Sequence, residues 1–324
     1  MIFEHPGMVD VFSKGIGLSP RMFYFLGFSV AGGVKRRPRF VTSGDYTPFG
    51  ISNDQRDLFF SKLVASASLL KSRILETQRF GRAWGFTVNP LESTPLVSIH
   101  PAHPDRALCP IPSFVLRRIT SGAYFDLIRA DGFEKGFGAA FEDYIGLVMR
   151  KSCHKAVPWE IHKPKPYRVL KKQTHHGVDW ILSDGTANLF IECKATRIRA
   201  AAVAAETYAD VEKTVQRLAD MVLQNYANIS EALAGLTDWN RNTLPNFSVI
   251  VTLEDFITFG AAVAQPVRES VVRGLRAKKL PETLVDDVPY CLVSAAEFEG
   301  ICAVLNEHSV FGTCQIFCVQ RVMK

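Results

Sequence analysis

The spacing of apolar side chains along the chain predicts five helices. Apolar residues that recur about every 3.6 positions are typical of a helix with one buried face. This pattern, together with its end signals, predicts helices at 54–79, 133–151, 207–234, 266–277 and 295–306. Ser52 and Gln55 have the spacing of a capping box, in which each side chain bonds the backbone N–H of the other. The first helix is therefore expected to begin there.

Short apolar runs bounded by turn residues predict strands between these helices. The runs occupy 95–99, 159–161, 177–182, 188–194, 247–252, 290–294 and 314–319. Ser183, Asp184 and Gly185 separate the third run from the fourth and are typical of a tight turn, so these two strands are expected to form a hairpin. From residue 133 onward, predicted helices and predicted strands are interspersed along the chain. This order predicts an α/β (α+β) domain with a mixed central sheet flanked by helices.

Residues 1–115 follow a different pattern from the rest of the chain. The first part is rich in Gly, Pro and Phe without a clear period, and an uncharged stretch at 22–34 is predicted to be buried and to turn at Gly32-Gly33. A chain of 324 residues corresponds to roughly two domains. We therefore expect a separate, mostly helical N-terminal unit of unknown role at 1–115 and a second domain at 116–324.

Composition narrows the class of protein. Hydrophobic residues make up 47% of the chain and charged residues 22%, which excludes a disordered or collagen-like chain and favours a globular protein with a substantial core. The longest uncharged run has 13 residues, short of the about 20 that a membrane-spanning helix needs, so no membrane partner is expected. The seven cysteines are scattered without a disulfide pattern, which favours a reducing, cytoplasmic location.

Positive charge is concentrated in one part of the chain. The net charge of the whole chain is +6, whereas the window 150–199 alone contains eleven Lys or Arg and four Asp or Glu, a net charge of +7. This distribution predicts an acidic partner near that window. A second basic cluster, 35–39, has two interpretations that stay open at this point: a solvated loop, or an arm that contacts phosphates.

The residues that carry chemistry lie inside the charged window. Asp179 is followed, after twelve residues, by Glu192, Cys193 and Lys194 in an apolar strand. Because side chains alternate along a strand, Glu192 and Lys194 are expected to share one face while Cys193 points to the other. Charged groups in an apolar strand are costly unless they are paired or bind a metal. Two carboxylates with a lysine suit Mg²⁺ or Mn²⁺, and the lysine can orient or activate a water.

This arrangement resembles the PD-(D/E)xK nuclease superfamily, which has the restriction-endonuclease-like fold. The resemblance covers about 133–252, although Val178 stands where the family often has Pro. It implies a Mg²⁺-dependent nuclease that hydrolyses phosphodiester bonds, with DNA as the expected substrate and a role in defence or mobile-element biology. Mn²⁺ is expected to substitute for Mg²⁺.

The resemblance also implies a role for each residue. Asp179 and Glu192 are expected to hold the metal with a backbone carbonyl such as that of Cys193, Lys194 to act on the attacking water, and Glu142 to assist from the preceding helix. The residues expected to contact nucleic acid are Lys171, Lys172, Arg197, Arg199 and Gln216. The helix stripe that carries Gln216 also contains Lys213, Asp220 and Gln224.

Other interpretations of these residues stay open. Asp179 could cap a turn, Glu192 and Lys194 could form a surface pair on an edge strand, and Glu142 could be a solvated helix residue. The whole domain could be a module that keeps the nuclease fold without cleavage and binds nucleic acid or a protein partner. The sequence decides neither between DNA and RNA nor between a homodimer and a separate partner protein.

Overall fold

A computed structural model of the protein confirms the mixed α/β fold class. The structure describes residues 2–81, 84, 87–153, 159–169, 173–195, 208–254, 261–305 and 307–320. The chain divides into two compact units, Met1–Ala140 and Phe141–Lys324. The boundary therefore lies at residue 140 rather than at the predicted residue 115. The reason is that two short helices after residue 112 pack on helices of the N-terminal unit.

The N-terminal unit combines helices with a small sheet. Its helices are α1 Pro6–Ile16, α2 Pro20–Arg36, α3 Asn53–Ser61, α4 Ala67–Thr77, α5 Ser113–Ile119 and α6 Ala123–Leu127, followed by the first part of α7 Phe133–Ser152. Its strands are β1 Arg39–Val41, β2 Val64–Ser66, β3 Leu96–Ser98 and β4 Arg106–Leu108, in the order β1-β4-β3-β2. The unit is mostly helical, as predicted, and the small sheet is an addition to that prediction.

Aromatic side chains form the core of this unit. Phe12, Phe23 and Phe59 are fully buried. The Phe23 ring lies 5.4 Å from that of Phe12 and 5.3 Å from that of Phe59, centroid to centroid, with edge-to-face geometry in both pairs. These three Phe residues therefore join α1, α2 and α3.

The structure corrects two predictions in the N-terminal unit. The capping box is confirmed, because Ser52 Oγ accepts from Gln55 N at 3.2 Å and Gln55 Oε1 accepts from Ser52 N at 3.0 Å. The single helix at 54–79 is wrong, since α3 ends at Ser61 and the chain forms β2, which pairs in parallel with β3. The turn at Gly32-Gly33 is also wrong, because α2 continues through both glycines.

The second unit is built on a five-stranded mixed sheet. Its strands are β5 Glu160–His162, β8 Trp180–Ser183, β9 Asn188–Lys194, β10 Asn246–Thr252 and β11 Tyr290–Ser294, in the order β11-β10-β9-β8-β5. A separate hairpin consists of β6 Tyr167–Val169 and β7 Gln173–His175. Strands β5, β8 and β9 are antiparallel neighbours, whereas β9, β10 and β11 run parallel. The predicted strands at 247–252 and 290–294 are confirmed.

Helices cover this sheet. They are α7, α8 Tyr208–Leu233, α9 Ala261–Ala277, α10 Leu284–Asp287, α11 Ala295–Leu305 and α12 Val310–Cys314, with a π-helical turn at Gln315–Gln320. Within the described residues no helix is both long enough and apolar enough to cross a membrane. Tyr226 on α8 is fully buried, and its hydroxyl donates to the carbonyl of Val288 at 2.9 Å. This bond ties α8 to the segment that leads into β11.

The predicted strand at 314–319 is wrong, because this segment is helical. Cys314 and Cys318 are both buried and lie four residues apart, a spacing that suits a helix as well as a short apolar strand. Capping decides in favour of the helix, since Ser309 Oγ accepts from Gly312 N at 3.1 Å and Asp184 Oδ2 accepts from Val310 N at 2.9 Å.

The predicted turn between β8 and β9 is confirmed. Gly185 has a φ of 82°, in the left-handed region that favours glycine. Asp184 Oδ1 accepts from Thr186 N at 2.9 Å, which closes the turn. The resulting register pairs Trp180 with Ile191, so one further step along the hairpin places Asp179 beside Glu192.

Candidate active site

The end of the β8–β9 hairpin holds Asp179 against the backbone of β9. Asp179 N donates to the carbonyl of Ile191 at 3.1 Å, and Cys193 N donates to Asp179 Oδ2 at 2.6 Å. These two bonds extend the contact between the strands beyond Trp180, the first regular residue of β8. The carboxylate of Asp179 is therefore fixed by the backbone next to Glu192.

Glu192 and Lys194 share one face of β9, as the alternation of side chains predicts. Lys194 Nζ donates to Glu192 Oε1 at 2.7 Å. The side chain of Glu192 is only 5% exposed and that of Lys194 is 23% exposed. Because the pair is largely withdrawn from water, the structure does not support the interpretation of a solvated surface pair on an edge strand.

Helix α8 contributes two amide side chains to this pair. Gln224 Oε1 accepts from Lys194 Nζ at 2.9 Å, and Asn228 Nδ2 donates to Glu192 Oε2 at 3.4 Å. The two residues lie four apart and so occupy the same side of the helix. Gln224 was one of several residues on the predicted stripe, whereas sequence reasoning missed Asn228. The signal that could have found Asn228 is its position one turn beyond Gln224.

Gln216 does not join the site. Its amide donates to Asp220 Oδ1 at 2.8 Å, and its Oε1 accepts from Ser270 Oγ on α9 at 3.1 Å. Gln216 lies eight residues before Gln224, which is about 12 Å along the helix axis. The rotation that accompanies this rise turns Gln216 towards α9, so its predicted contact with nucleic acid has no support in this structure.

Glu142, on α7, acts on the site through its charge. Its Oε1 lies 2.8 Å from Lys163 Nζ, and its side chain is 26% exposed. The negative charge of Glu142 contributes to raising the pKa of both Asp179 and Glu192, so the three carboxylates interact. Lys163 also bonds Asp143 Oδ1 at 3.0 Å. Lys163 thus stands at the outer edge of the acidic cluster.

The electrostatics of the site favour an added positive charge. Burial, and then the charge of Glu192, raise the pKa of Asp179 to about 8, against the opposing effect of the Cys193 N–H. Burial also raises the pKa of Glu192, although the Lys194 ammonium opposes this effect. Carboxylates that resist ionisation together become more stable as anions when a cation lies between them.

The residues present fit a hard divalent cation. Asp179 and Glu192 supply carboxylate oxygens, the ligand type that Mg²⁺ prefers, and Mg²⁺ commonly retains several waters beside one or two protein carboxylates. Among the described residues, no three acidic, histidine or cysteine side chains form a ready metal cluster. Burial raises the pKa of the Cys193 thiol, so the part that Cys193 plays here is through its backbone.

A tryptophan forms one wall beside the acidic cluster. Trp180 is buried, and its Nε1 donates to the carbonyl of Glu142 at 3.0 Å. Arg150 Cζ and Lys163 Nζ lie 5.2 Å and 5.0 Å from the centre of a Trp180 ring, within the range of cation–π contact. Trp180, the residue directly after Asp179, therefore connects the start of β8 to α7.

Gly146→Ala is expected to destabilise the protein by about 1–3 kcal/mol. A Cβ on Gly146 would lie 2.2 Å from Trp180 Cζ2, so the indole would have to move. Gly138→Ala on the same helix is the matched control, because a Cβ there meets nothing within 4 Å. The control should gain about 0.5–1 kcal/mol from helix propensity. Urea unfolding followed by circular dichroism measures the free energy of unfolding of both variants. If it changes equally in the two, the packing of Gly146 against Trp180 is contradicted.

The remaining predicted residues fall into two groups. Lys171, Lys172, Arg197 and Arg199 lie outside the described residues. In the described part of the window, Arg150, Lys151, Lys165 and Arg168 are exposed cations. His175, which precedes Asp179 by four positions, bonds Glu231 at 3.3 Å, while His176 is exposed.

Comparison with known proteins adds no identification. No family model matches the chain, and neither the curated proteins nor the solved structures include a significant match.

Proposed function

We propose that this protein is a metal-dependent nuclease of the PD-(D/E)xK type that hydrolyses phosphodiester bonds, with DNA as the first candidate substrate. The observation that carries the proposal is the buried Glu192, with Lys194 bonded to it and the half-buried Asp179 held beside it by the backbone of β9. The order of elements around it, α7, β5, the inserted β6–β7 hairpin, β8, β9, α8 and β10, supports the expected core apart from the insertion.

The acidic cluster is difficult to explain as a structural ion pair alone. Lys194 would neutralise Glu192 by itself, yet a second carboxylate, Asp179, is held beside Glu192 by a backbone hydrogen bond. This second acid is placed where its ionised form is disfavoured. Such an arrangement is typical of functional sites, where groups that lower the stability of the fold are retained because binding or catalysis requires them.

The proposed mechanism assigns a separate task to each side chain. Asp179 and Glu192 would hold a divalent cation. When bound, Mg²⁺ supplies Lewis-acid activation of a water and neutralisation of phosphate charge. The Lys194 ammonium would donate a hydrogen bond to the attacking water or to the developing charge on the phosphate. Gln224 accepts from Lys194 and so orients the ammonium.

The net positive charge of the 150–199 window supports a polyanionic substrate. The described cations of the 150–199 window include Arg150, Lys151, Lys165 and Arg168, all of which are exposed. Contacts to phosphates supply most of the affinity of non-specific nucleic-acid binding, and they weaken as salt rises. Binding to this domain is therefore expected to decline with increasing salt concentration.

The test is cleavage of labelled nucleic acid by the full chain. Double-stranded DNA, single-stranded DNA and RNA are each incubated with Mg²⁺, Mn²⁺ or EDTA. Cleavage is expected with Mg²⁺ and Mn²⁺ and not with EDTA. Glu192→Gln is the control, because it keeps the shape and an acceptor for Lys194 but removes the charge that would hold the metal. If the folded wild type cleaves none of these substrates with either metal yet binds nucleic acid, the proposal is wrong and a non-cleaving binding module replaces it.

A further inference from the structure

Helix α2 presents a continuous stripe of aromatic and basic residues to solvent. The stripe consists of positions spaced by three or four residues, which are Arg21, Phe25, Phe28, Gly32 and Arg36. This spacing keeps all of them on one side of the helix. Phe25 is 42% exposed and Phe28 is 57% exposed. The other side of the helix is buried in the aromatic core, so these two rings are not needed to anchor α2.

A third aromatic ring extends this surface. Phe49, in the short 3₁₀ turn Thr47–Phe49, is 65% exposed, and its centroid lies 5.1 Å from that of Phe25. Tyr24 stacks against Phe28 at 6.1 Å with an interplanar angle of 25°. We call Phe25, Phe28 and Phe49 the aromatic platform. Several neighbouring exposed rings are unusual on a soluble surface and mark a binding site.

Cations lie at both ends of the aromatic platform. Arg21 is at the start of α2, and Lys35, Arg36, Arg37 and Arg39 follow its end. All five are exposed, and none forms an ion pair with another residue in the part of the chain that the structure describes. Asp45 is the one acid in the sequence between 21 and 49, and it accepts from Thr47 N and Thr47 Oγ1. The segment 21–49 therefore carries a net charge of +4, which suits a polyanion, although Glu4 of the preceding segment acts electrostatically on Tyr24.

We infer that this surface of the N-terminal unit binds single-stranded nucleic acid, separately from the proposed nuclease site. Exposed bases can stack on aromatic rings while cations contact the phosphates, and this combination is how single strands are bound without sequence preference. In a duplex the base faces are covered by their neighbours, so the rings would have no partner. Arg21 and Arg36 are about 22 Å apart along the helix, which suits a segment of several nucleotides.

The test measures binding by the full chain in EDTA, so that metal-dependent cleavage does not interfere. A fluorescent oligothymidine of 12 nucleotides is titrated by anisotropy, with a 12-base-pair duplex as comparison. Phe25→Ala/Phe28→Ala should weaken binding of the single strand at least about 10-fold, with little change in salt dependence. Phe125→Ala is the matched control, because Phe125 on α6 is 66% exposed and lies beside an acid, Asp126.

A second pair of variants separates charge from stacking. Arg36→Glu/Arg37→Glu should weaken binding and reduce the slope of log K against log salt by about 1.4, or roughly 0.7 for each lost phosphate contact. Arg129→Glu/Lys135→Glu makes the same change in net charge at exposed positions elsewhere in the unit, and it should change the affinity less than 2-fold.

Three outcomes would overturn the inference. They are unchanged affinity in both the Phe and the Arg variants, equal affinity for duplex and single strand, and binding only to vesicles of phosphatidylcholine with 30% phosphatidylserine. The last outcome would mean that the platform is a membrane-binding surface. The variants lie in the N-terminal unit and the assay contains no metal. A failure of this inference can therefore be distinguished from a failure of the proposed nuclease function.

Discussion

Lys194→Met is expected to reduce cleavage at least about 100-fold while the protein stays folded and still binds metal. The variant removes the ammonium but keeps an apolar stem in a strand that is otherwise apolar. Positioning of the attacking water and stabilisation of developing charge are each worth several kcal/mol in a transition state. Asp179 and Glu192 remain in place to hold the cation, which then replaces the positive charge lost beside Glu192.

Lys163→Met is the matched control for this prediction. Lys163 also pairs with a carboxylate of the cluster, Glu142, but its side chain is 47% exposed at the outer edge. Cleavage should fall far less in this variant. Calorimetric titration with Mn²⁺ measures metal binding, and circular dichroism in Mg²⁺ confirms folding. Wild-type cleavage by folded Lys194→Met would show that the lysine has no catalytic role.

Asp179→Asn is expected to abolish cleavage and, without metal, to stabilise the protein at high pH. The asparagine can still accept from Cys193 N but carries no charge. The pKa of Asp179 is raised to about 8 in the folded protein, whereas an unfolded Asp titrates near about 4. Between these values the folded state holds a proton that the unfolded state has released, so the free energy of unfolding falls as pH rises. Asp179→Asn has no titrating group at this position, so its free energy of unfolding does not fall for this reason.

The measurement compares urea unfolding in EDTA at pH 5 and pH 8. Between pH 5 and pH 8, the free energy of unfolding of the wild type should fall by on the order of 1–3 kcal/mol more than that of Asp179→Asn. Asp287→Asn, at an exposed position of the same unit, should behave like wild type. Mg²⁺ at pH 8 should restore stability to wild type and not to Asp179→Asn. A wild type that becomes more stable than Asp179→Asn as pH rises in EDTA would contradict the raised pKa of Asp179, which burial and then the charge of Glu192 produce.

The hairpin that carries the site was predictable because its signals are local. Gly185 and Asp184 fix the turn within four residues of sequence, and the alternation along β9 then determines which side chains share a face. The ion pair between Glu192 and Lys194 follows directly from that alternation. The capping box at Ser52 was predictable for the same reason, since both of its bonds lie within three residues.

The failed predictions depend on contacts between distant segments. The helix predicted at 54–79 is interrupted because Val64–Ser66 pairs with Leu96–Ser98, a partner 32 residues away that the 3.6-residue spacing does not reveal. The sequence predicts a nucleic-acid contact for Gln216 and not for Gln224 because the stripe on α8 does not show which of its turns crosses β9. Packing of α8 against both the sheet and α9 decides that question.

During synthesis, the acids of the hairpin are made before the segments of the chain that bury them. Glu192 is largely buried only when Asn228 of α8 and the neighbouring strand β10 are present, and both are made after it. The Asp184 carboxylate, in the turn of the same hairpin, receives Val310 N, which is translated 126 residues later. At about 5–20 residues per second this delay is roughly 6–25 s. The nascent hairpin therefore emerges with ordinary, water-exposed acids, and their low-dielectric surroundings form only as later parts of the sheet and α8 are added.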